Sequence, residues 1–421
     1  MALWKMTFPI LWGSALWGLA LLAPVAPAAA LPYIELGPSD GLALDQPRVT
    51  VELFSDPDGN NSLGPILNNV FFLDTGANSI MAMKSAVDYL LGCETQGTFV
   101  EQGIAGDHPL ETSEPYRFDF AGTSGLRRTI NDTCILSDEF NDFPLGSPPG
   151  IVGMPAMVNR VTTLDFTGWV DGLANMVIYM DVALSDGPED PPPGNGHRYS
   201  VPVDNRFQFD PADQDHTGEL PVWADVPFLT ATAVAGADRQ TTDFLFDTGA
   251  QMSLISEDLA FSLGADANGD GDLLDDLLPN GTEQIFGVGG VIEVPKFWID
   301  EIRVPTNEGV ELVWTDAPVL VLTNANPADP PLGQLPFDGV FGSDLLTSGW
   351  LAAWLSESDG GYIDYLFFDF REMEDEGLGT IYFDLNPAYD NVRVPEPGSL
   401  VLLSAGGFLL LLWRLRRRSS K

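Results

Sequence analysis

A seven-residue segment occurs twice in this chain, and that repetition narrows the choice of folds more than any other feature. Phe71-Phe72-Leu73-Asp74-Thr75-Gly76-Ala77 returns 173 positions later as Phe244-Leu245-Phe246-Asp247-Thr248-Gly249-Ala250. Each copy also has a later partner, Gly150-Ile151-Val152-Gly153 for the first and Gly339-Val340-Phe341-Gly342 for the second. With 43 glycines and 61 acidic residues in the chain, a lone Asp-Thr-Gly triplet would carry little weight. Two copies in the same apolar context, each with a matching downstream pair, point to a duplicated supersecondary unit. Between the copies, Ser185 to Gly196 is too rich in Pro and Gly to join a sheet and reads as a linker. This divides the body into an N-terminal lobe over 31–184, a linker over 185–196 and a C-terminal lobe over 197–393.

The body reads as mostly β. Short apolar or alternating runs at Arg48 to Phe54, Val70 to Leu73, Phe228 to Val234, Phe244 to Phe246 and Val291 to Ile302 are separated by Gly, Pro, Asn and Asp clusters. Long helical periodicity is missing. The best short helices are expected at Ser79 to Leu91, at Ser256 to Leu263 and after Gly342.

Two facing Asp-Thr-Gly loops permit a definite chemistry. A strand delivers the Asp to a tight turn, Gly lets the backbone curl without steric conflict, and the Thr hydroxyl bonds main-chain groups of the opposite half. Two carboxylates meeting at a pseudo-twofold axis cannot both ionise comfortably, so one proton is held between them. One member then takes a proton from water while the other protonates the carbonyl under attack. On this reading Asp74 and Asp247 are catalytic, and Thr75, Gly76, Thr248 and Gly249 shape the loops.

The paired loops resemble those of the aspartic protease superfamily, with two Asp-Thr-Gly loops in one chain as in pepsin-like members. Ala77 and Ala250 follow the triplets as in retropepsins. The resemblance implies a bilobal fold resembling a double-ψ β-barrel, with two pseudo-twofold-related lobes, no required cofactor, and a polypeptide substrate held in a cleft. Ile285 to Val294 resembles a retropepsin flap with Gly287, Val288, Gly289 and Gly290 at its tip, and Gly103-Ile104-Ala105-Gly106 is a fainter counterpart. Tyr116, 42 residues after Asp74, departs from the pepsin pattern because Glu114-Pro115-Tyr116-Arg117 does not read as a flap tip. The first half also has one residue fewer between Gly76 and Ser79 than the second has between Gly249 and Ser253, so the halves need not be equally competent. The reading from another class is a non-enzymatic matrix or surface protein on the same scaffold.

Charge separates the body from the ends. The chain holds 19 Lys and Arg against 61 Asp and Glu, a net charge of −42, which repels phosphate backbones and excludes nucleic acid as a partner. Arg414, Arg416, Arg417, Arg418 and Lys421 crowd the last eight positions. At the start, an apolar run from Phe8 to Leu22 precedes small residues ending at Ala30, the pattern of a secretory signal over residues 1–30, with an uncleaved anchor as the alternative. At the end, Val394-Pro395-Glu396-Pro397, an apolar stretch from Leu400 to Trp413 and the Arg cluster resemble the PEP-CTERM sorting signal of exopolysaccharide-producing Gram-negative bacteria. That resemblance implies recognition of Pro395, Glu396 and Pro397 by an exosortase-type enzyme, transient membrane association through residues 394–421, and a destination in the cell envelope or outside the cell.

One further segment carries ligand chemistry. Asp266, Asn268, Asp270 and Asp272 place oxygen ligands at alternate positions with Gly271 between the last two, as in a structural calcium loop, although Leu277 stands where the closing acid belongs. A solvated acidic loop is the alternative. His108, His197 and His216 lack ligand spacing for zinc, and Cys93 and Cys134 form either one bridge or a reduced pair. No G-x-S-x-G segment, Cys/His pairing or phosphate loop suggests another catalytic class.

Overall fold

Each Asp-Thr-Gly loop ends a strand whose neighbours follow one plan in both halves. In the first half, Val70–Leu73 runs into Asp74 between the antiparallel Arg48–Phe54 and the parallel Gly150–Val152, with Ile151 opposite Phe72 and Val152 opposite Leu73. Gly150–Val152 is antiparallel to Ile80–Met83, which in turn runs parallel to Leu136–Asp138. In the second half, Asp238–Phe246 runs into Asp247 between the antiparallel Val226–Ala235 and the parallel Gly339–Phe341, with Leu245 opposite Val340 and Phe246 opposite Phe341. Gly339–Phe341 is antiparallel to Leu254–Ser256, which runs parallel to Glu311–Leu322. The glycines that open the two inserted strands explain the shared register. A Cβ on Gly150 would lie 2.3 Å from the Phe71 ring, and one on Gly339 would lie 2.3 Å from the Phe244 ring.

This computed structural model describes residues 31–394, apart from 67–68, 85, 104–105, 123–124, 126, 134, 139–148, 170–179, 185–190, 207–213, 288–289, 324–336 and 357–359. The fold is mostly β, in one sheet of 13 strands and one of 11 among the described residues. The strand Arg198–Arg206 joins Leu378–Leu385 to Val226–Ala235, and Ile363–Asp369, Val161–Asp165 and Asp181–Leu184 extend the sheet beyond it. Three strands that precede the linker, Val161–Asp165, Asp181–Leu184 and Tyr33–Pro38, which pairs with Glu311–Leu322, therefore belong to the sheet built largely by the second half. Residues 1–30, 395–421 and Cys134 lie outside the described residues, and with them the signal segment, Pro395, Glu396, Pro397, the apolar tail and one partner of the cysteine pair. No described helix is long and apolar enough to cross a membrane.

The core beneath the second loop is aromatic. Phe246 stacks on Phe341 with ring centroids 5.9 Å apart, and Trp314 meets Phe341 edge-on at 5.1 Å. Trp314 is fully buried, and its indole N–H donates to Leu345 O at 2.8 Å, so its one polar atom is satisfied. The helix expected from Ser256 forms over Glu257–Ser262, because Ser256 Oγ accepts from Leu259 N and Glu257 and Asp258 occupy the first turn. Two short helices, Ser343–Leu346 and Trp350–Ser356, follow Gly342. The helix expected over Ser79 to Leu91 is only half present. Ile80–Met83 is a strand held between two others, and helical winding is found over Ala86–Leu91. A short apolar run does not distinguish a buried strand from a buried helix, and here pairing on both sides decides.

Candidate active site

The two Asp-Thr-Gly loops meet and hold each other through their threonines. Thr75 Oγ1 donates to Phe246 O at 2.6 Å and accepts from Thr248 N at 3.0 Å. Thr248 Oγ1 donates to Leu73 O at 2.8 Å and accepts from Thr75 N at 3.1 Å. Both threonines are fully buried, so each hydroxyl satisfies one donor and one acceptor of the opposite half that water cannot reach. The inserted strands anchor the loops from below: Asp74 N donates to Val152 O and Asp247 N to Phe341 O, each at 3.0 Å.

The glycines bring the carboxyls together. A Cβ on Gly76 would lie 2.4 Å from Asp247 Cγ, and one on Gly249 would lie 2.1 Å from Asp74 Oδ2. Each loop thus packs its glycine against the other loop's carboxyl, which only the absence of a side chain permits. The two carboxyls thereby face each other across the paired glycines. Burial first, then the charge of Asp247 and the proton Asp74 donates to it, raise the Asp74 carboxyl well above the usual range. Burial also raises Asp247, but the hydrogen bond from Asp74 and the amides of Gly249, Ala250 and Gly76 oppose that rise. Gly249 N and Ala250 N reach Asp247 Oδ1 at 2.8 and 3.0 Å, whereas Asp74 Oδ1 accepts from Gly76 N at 2.8 Å. Burial thus raises both carboxyls, Asp74 the more strongly, and the pair favours holding one proton between them.

Each half also contains a hairpin that closes on a pair of glycines. Thr282–Gly287 pairs with Gly290–Pro305, and Gly287 faces Gly290 across the tip. Thr95–Gly103 pairs with Gly106–Ser113 in the same way, closing on Gly103 and Gly106. Val288, Gly289, Ile104 and Ala105 lie outside the described residues. Tyr116 is not at a hairpin tip; its hydroxyl accepts from Glu94 N at 2.9 Å at the start of another strand.

Several supporting residues escaped the sequence reading. Ser343 Oγ donates to Thr248 O at 2.9 Å. Asp344 is fully buried and accepts from Ser253 Oγ at 2.8 Å and Ser39 Oγ at 3.2 Å, while Ser253 Oγ also accepts from Gly342 N at 3.0 Å. Burial raises the Asp344 carboxyl to about 6. The first half has Met154 and Pro155 after Gly153, so this acid is peculiar to the second half. Gln46 is a further bridge, donating from Nε2 to Gly249 O and accepting from Gln251 Nε2 at 3.0 Å. A Ser-Asp pair directly after the repeated glycine is the only sequence signal for any of these.

Asp266, Asn268, Asp270 and Asp272 do come into one loop, but their oxygens are engaged with backbone amides. Asp266 accepts from Gly269 N and Gly271 N, Asn268 Oδ1 from Asp270 N, Asp270 from Asp272 N, and Asp272 from Leu274 N. Among the described residues no group of three acidic, His or Cys side chains is arranged to hold a metal ion. His197 lies instead against Asp390.

The architecture and the paired loops define a scaffold of aspartyl-protease type. Residues 231–345 match the model of the aspartyl protease family, a stretch that contains the Asp247 loop, the Thr282–Pro305 hairpin and the Gly339–Phe341 strand. No curated protein matches the chain. Among solved structures, basic 7S globulin from soybean is similar over 81% of this chain and 95% of that one, with a TM-score of 0.37 and 8% sequence identity.

Proposed function

We propose that the protein is an aspartic endopeptidase that works outside the cytoplasm. The observation that carries this reading is the reciprocal contact in which each loop's glycine seats the other loop's carboxyl, bringing two buried carboxyls together where they favour sharing one proton. Asp247 takes a proton from a water placed between the carboxyls as that water attacks the peptide carbonyl. Asp74 gives its proton to the carbonyl oxygen, and the tetrahedral intermediate forms without a covalent enzyme adduct. Its collapse transfers a proton to the leaving amine and returns the pair to its starting state. The two Gly-tipped hairpins support an extended peptide between them, held partly through its main chain.

Export and sorting rest on the chain ends: the signal segment over 1–30, and Pro395, Glu396 and Pro397 with the apolar and basic tail as substrate for an exosortase-type enzyme. The acidic body suits a soluble protein outside the cell. Calcium at Asp266 to Asp272 is a separate proposal, supported by the alternation of oxygen-bearing side chains there. The test of the main reading is cleavage of an unfolded protein by purified Leu31 to Arg393, scanned over roughly pH 3 to 8. A folded preparation that cleaves nothing would leave the non-catalytic surface protein as the better account.

A further inference from the structure

Gln46 belongs to the first half but serves the loop of the second. It stands two residues before Arg48, which opens the strand beside the Asp74 strand and lies opposite Phe72. Ala43 N donates to Gln251 O at 2.9 Å, which pins the segment leading to Gln46 against the Asp247 loop. Gln46 itself is only 5% exposed, and its partners fix which way its amide points. Gly249 O can only accept, so the Gln46 atom facing it is Nε2, and Oε1 turns to Gln251 Nε2 at 3.0 Å. Gly249 O belongs to the same peptide group as Ala250 N, which donates to Asp247 Oδ1 at 3.0 Å. Three amides therefore lie head to tail: the Gln251 side chain, the Gln46 side chain, and the peptide joining Gly249 to Ala250. Every N–H in this chain points toward the Asp247 carboxyl, and polarisation along such a chain strengthens its last bond. The first loop has no equivalent. Phe228 lies opposite Leu245 as Arg48 lies opposite Phe72, which sets Val226 where Gln46 stands. Val226 is fully buried, and its side chain has no donor.

We propose that Gln46 is a positioning residue, which holds the peptide after Gly249 with its N–H on Asp247 and so assigns the ionised member of the carboxyl pair to the second half. This inference rests on the peptidase reading for its chemistry and deepens it. The titratable groups around the loop are Asp74 on the facing loop, Asp344 beneath it, and Asp45 beside Gln46. Asp344 is held by Ser253 and Ser39, and Asp45 accepts from Met180 N and pairs with Arg48. None of these contacts runs through the Gln46 side chain, so replacing it by Met keeps the length of the side chain and removes only its two polar atoms.

The experiment measures kcat/KM for a peptide against pH in wild type, Gln46→Met and Gln251→Met. The acid limb reports the ionisation of the pair in the free enzyme, and it should move up by about 0.5–1 pH unit in Gln46→Met, the size of part of one amide-to-carboxylate bond. Gln251→Met removes only the first amide of the chain and should move the limb the same way by less. Gln251 is exposed, so this variant tests the chain even where Gln46→Met folds poorly. A second measurement needs no turnover: urea denaturation of wild type and each variant at roughly pH 3 and pH 7, repeated in an Asp247→Asn background. Gln46 favours the ionised carboxyl, so its contribution is present where Asp247 is charged and is lost as pH falls and Asp247 takes up a proton. The stability gap should therefore be wider at pH 7 than at pH 3, and equal at both in Asp247→Asn, where Asp344 and Asp45 still titrate. A wild type that cleaves nothing counts against the peptidase reading, and the denaturation cycle then decides on Gln46 alone. Acid limbs that coincide in all three proteins, or a stability gap that is equal at both pH values or keeps its pH dependence in Asp247→Asn, overturn the inference.

Discussion

Thr75→Val is the sharpest perturbation of the contact between the two halves. Valine keeps the shape and branching of threonine but removes the hydroxyl, so Phe246 O loses its donor and Thr248 N loses its acceptor. Both groups lie where Thr75 and Thr248 are fully buried, and water cannot replace the lost partner without opening the loops. Each orphaned buried backbone group costs about 1–3 kcal/mol, so the substitution should destabilise the protein by about 2–5 kcal/mol. Thr248→Val orphans a different pair, Thr75 N and Leu73 O, and should cost about the same. The double variant should cost less than the sum, because loosening one side lets water reach the other. Urea denaturation of the four proteins measures the cycle, with Thr75→Ser as a control that keeps the hydroxyl and should recover most of the stability. A Thr75→Val variant within about 0.5 kcal/mol of wild type, a range typical of inconsequential surface changes, would refute the argument that these hydroxyls lock the halves together.

Gly249→Ala and Gly76→Ala each place a methyl group on the opposite carboxyl, at 2.1 and 2.4 Å, and should abolish peptide cleavage; retained turnover in either would show that the carboxyls do not approach as described. Asp344→Ala frees Ser253 and Ser39 from their shared acceptor and should lower stability by about 2–3 kcal/mol in denaturant titration. Glu101 is raised in the folded state, so the stability linked to its proton is fully present below pH 4.5 and is lost as pH rises toward about 8. Glu101→Gln should therefore gain stability over wild type by about 3 kcal/mol between pH 4 and pH 7, an upper value for complete burial, and parallel stability curves would contradict the assignment. Calcium should raise the melting temperature through the Asp266 to Asp272 loop, and a curve unchanged by calcium and by EDTA would leave that loop as a set of backbone caps.

The paired site was legible because its chemistry is local. An apolar strand, an Asp, a Thr and a Gly specify a strand end and a turn within seven residues, and the repetition supplied the long-range information that one copy lacks. The inserted strands were legible for the same reason, since Gly150 and Gly339 each sit against the Phe that opens their copy of the repeated segment. What lies outside the repeat was not. Val161–Asp165 and Asp181–Leu184 pair within a sheet completed some two hundred residues later, and nothing in their own alternation indicates that partner. Ile80–Met83 looked helical because apolar runs of that length suit either state. Asp344 and Glu101 are two among 61 acidic residues, and only burial sets them apart.

In the proposed mechanism Asp74 and Asp247 together activate water. Its most direct measurement is cleavage of an unfolded protein by wild type, Asp74→Asn and Asp247→Asn across the same pH range, with circular dichroism confirming that all three are folded. Turnover should be present in wild type, decline on the alkaline side as Asp74 loses its proton, and be absent from both variants. Turnover that persists in either folded variant would contradict the claim.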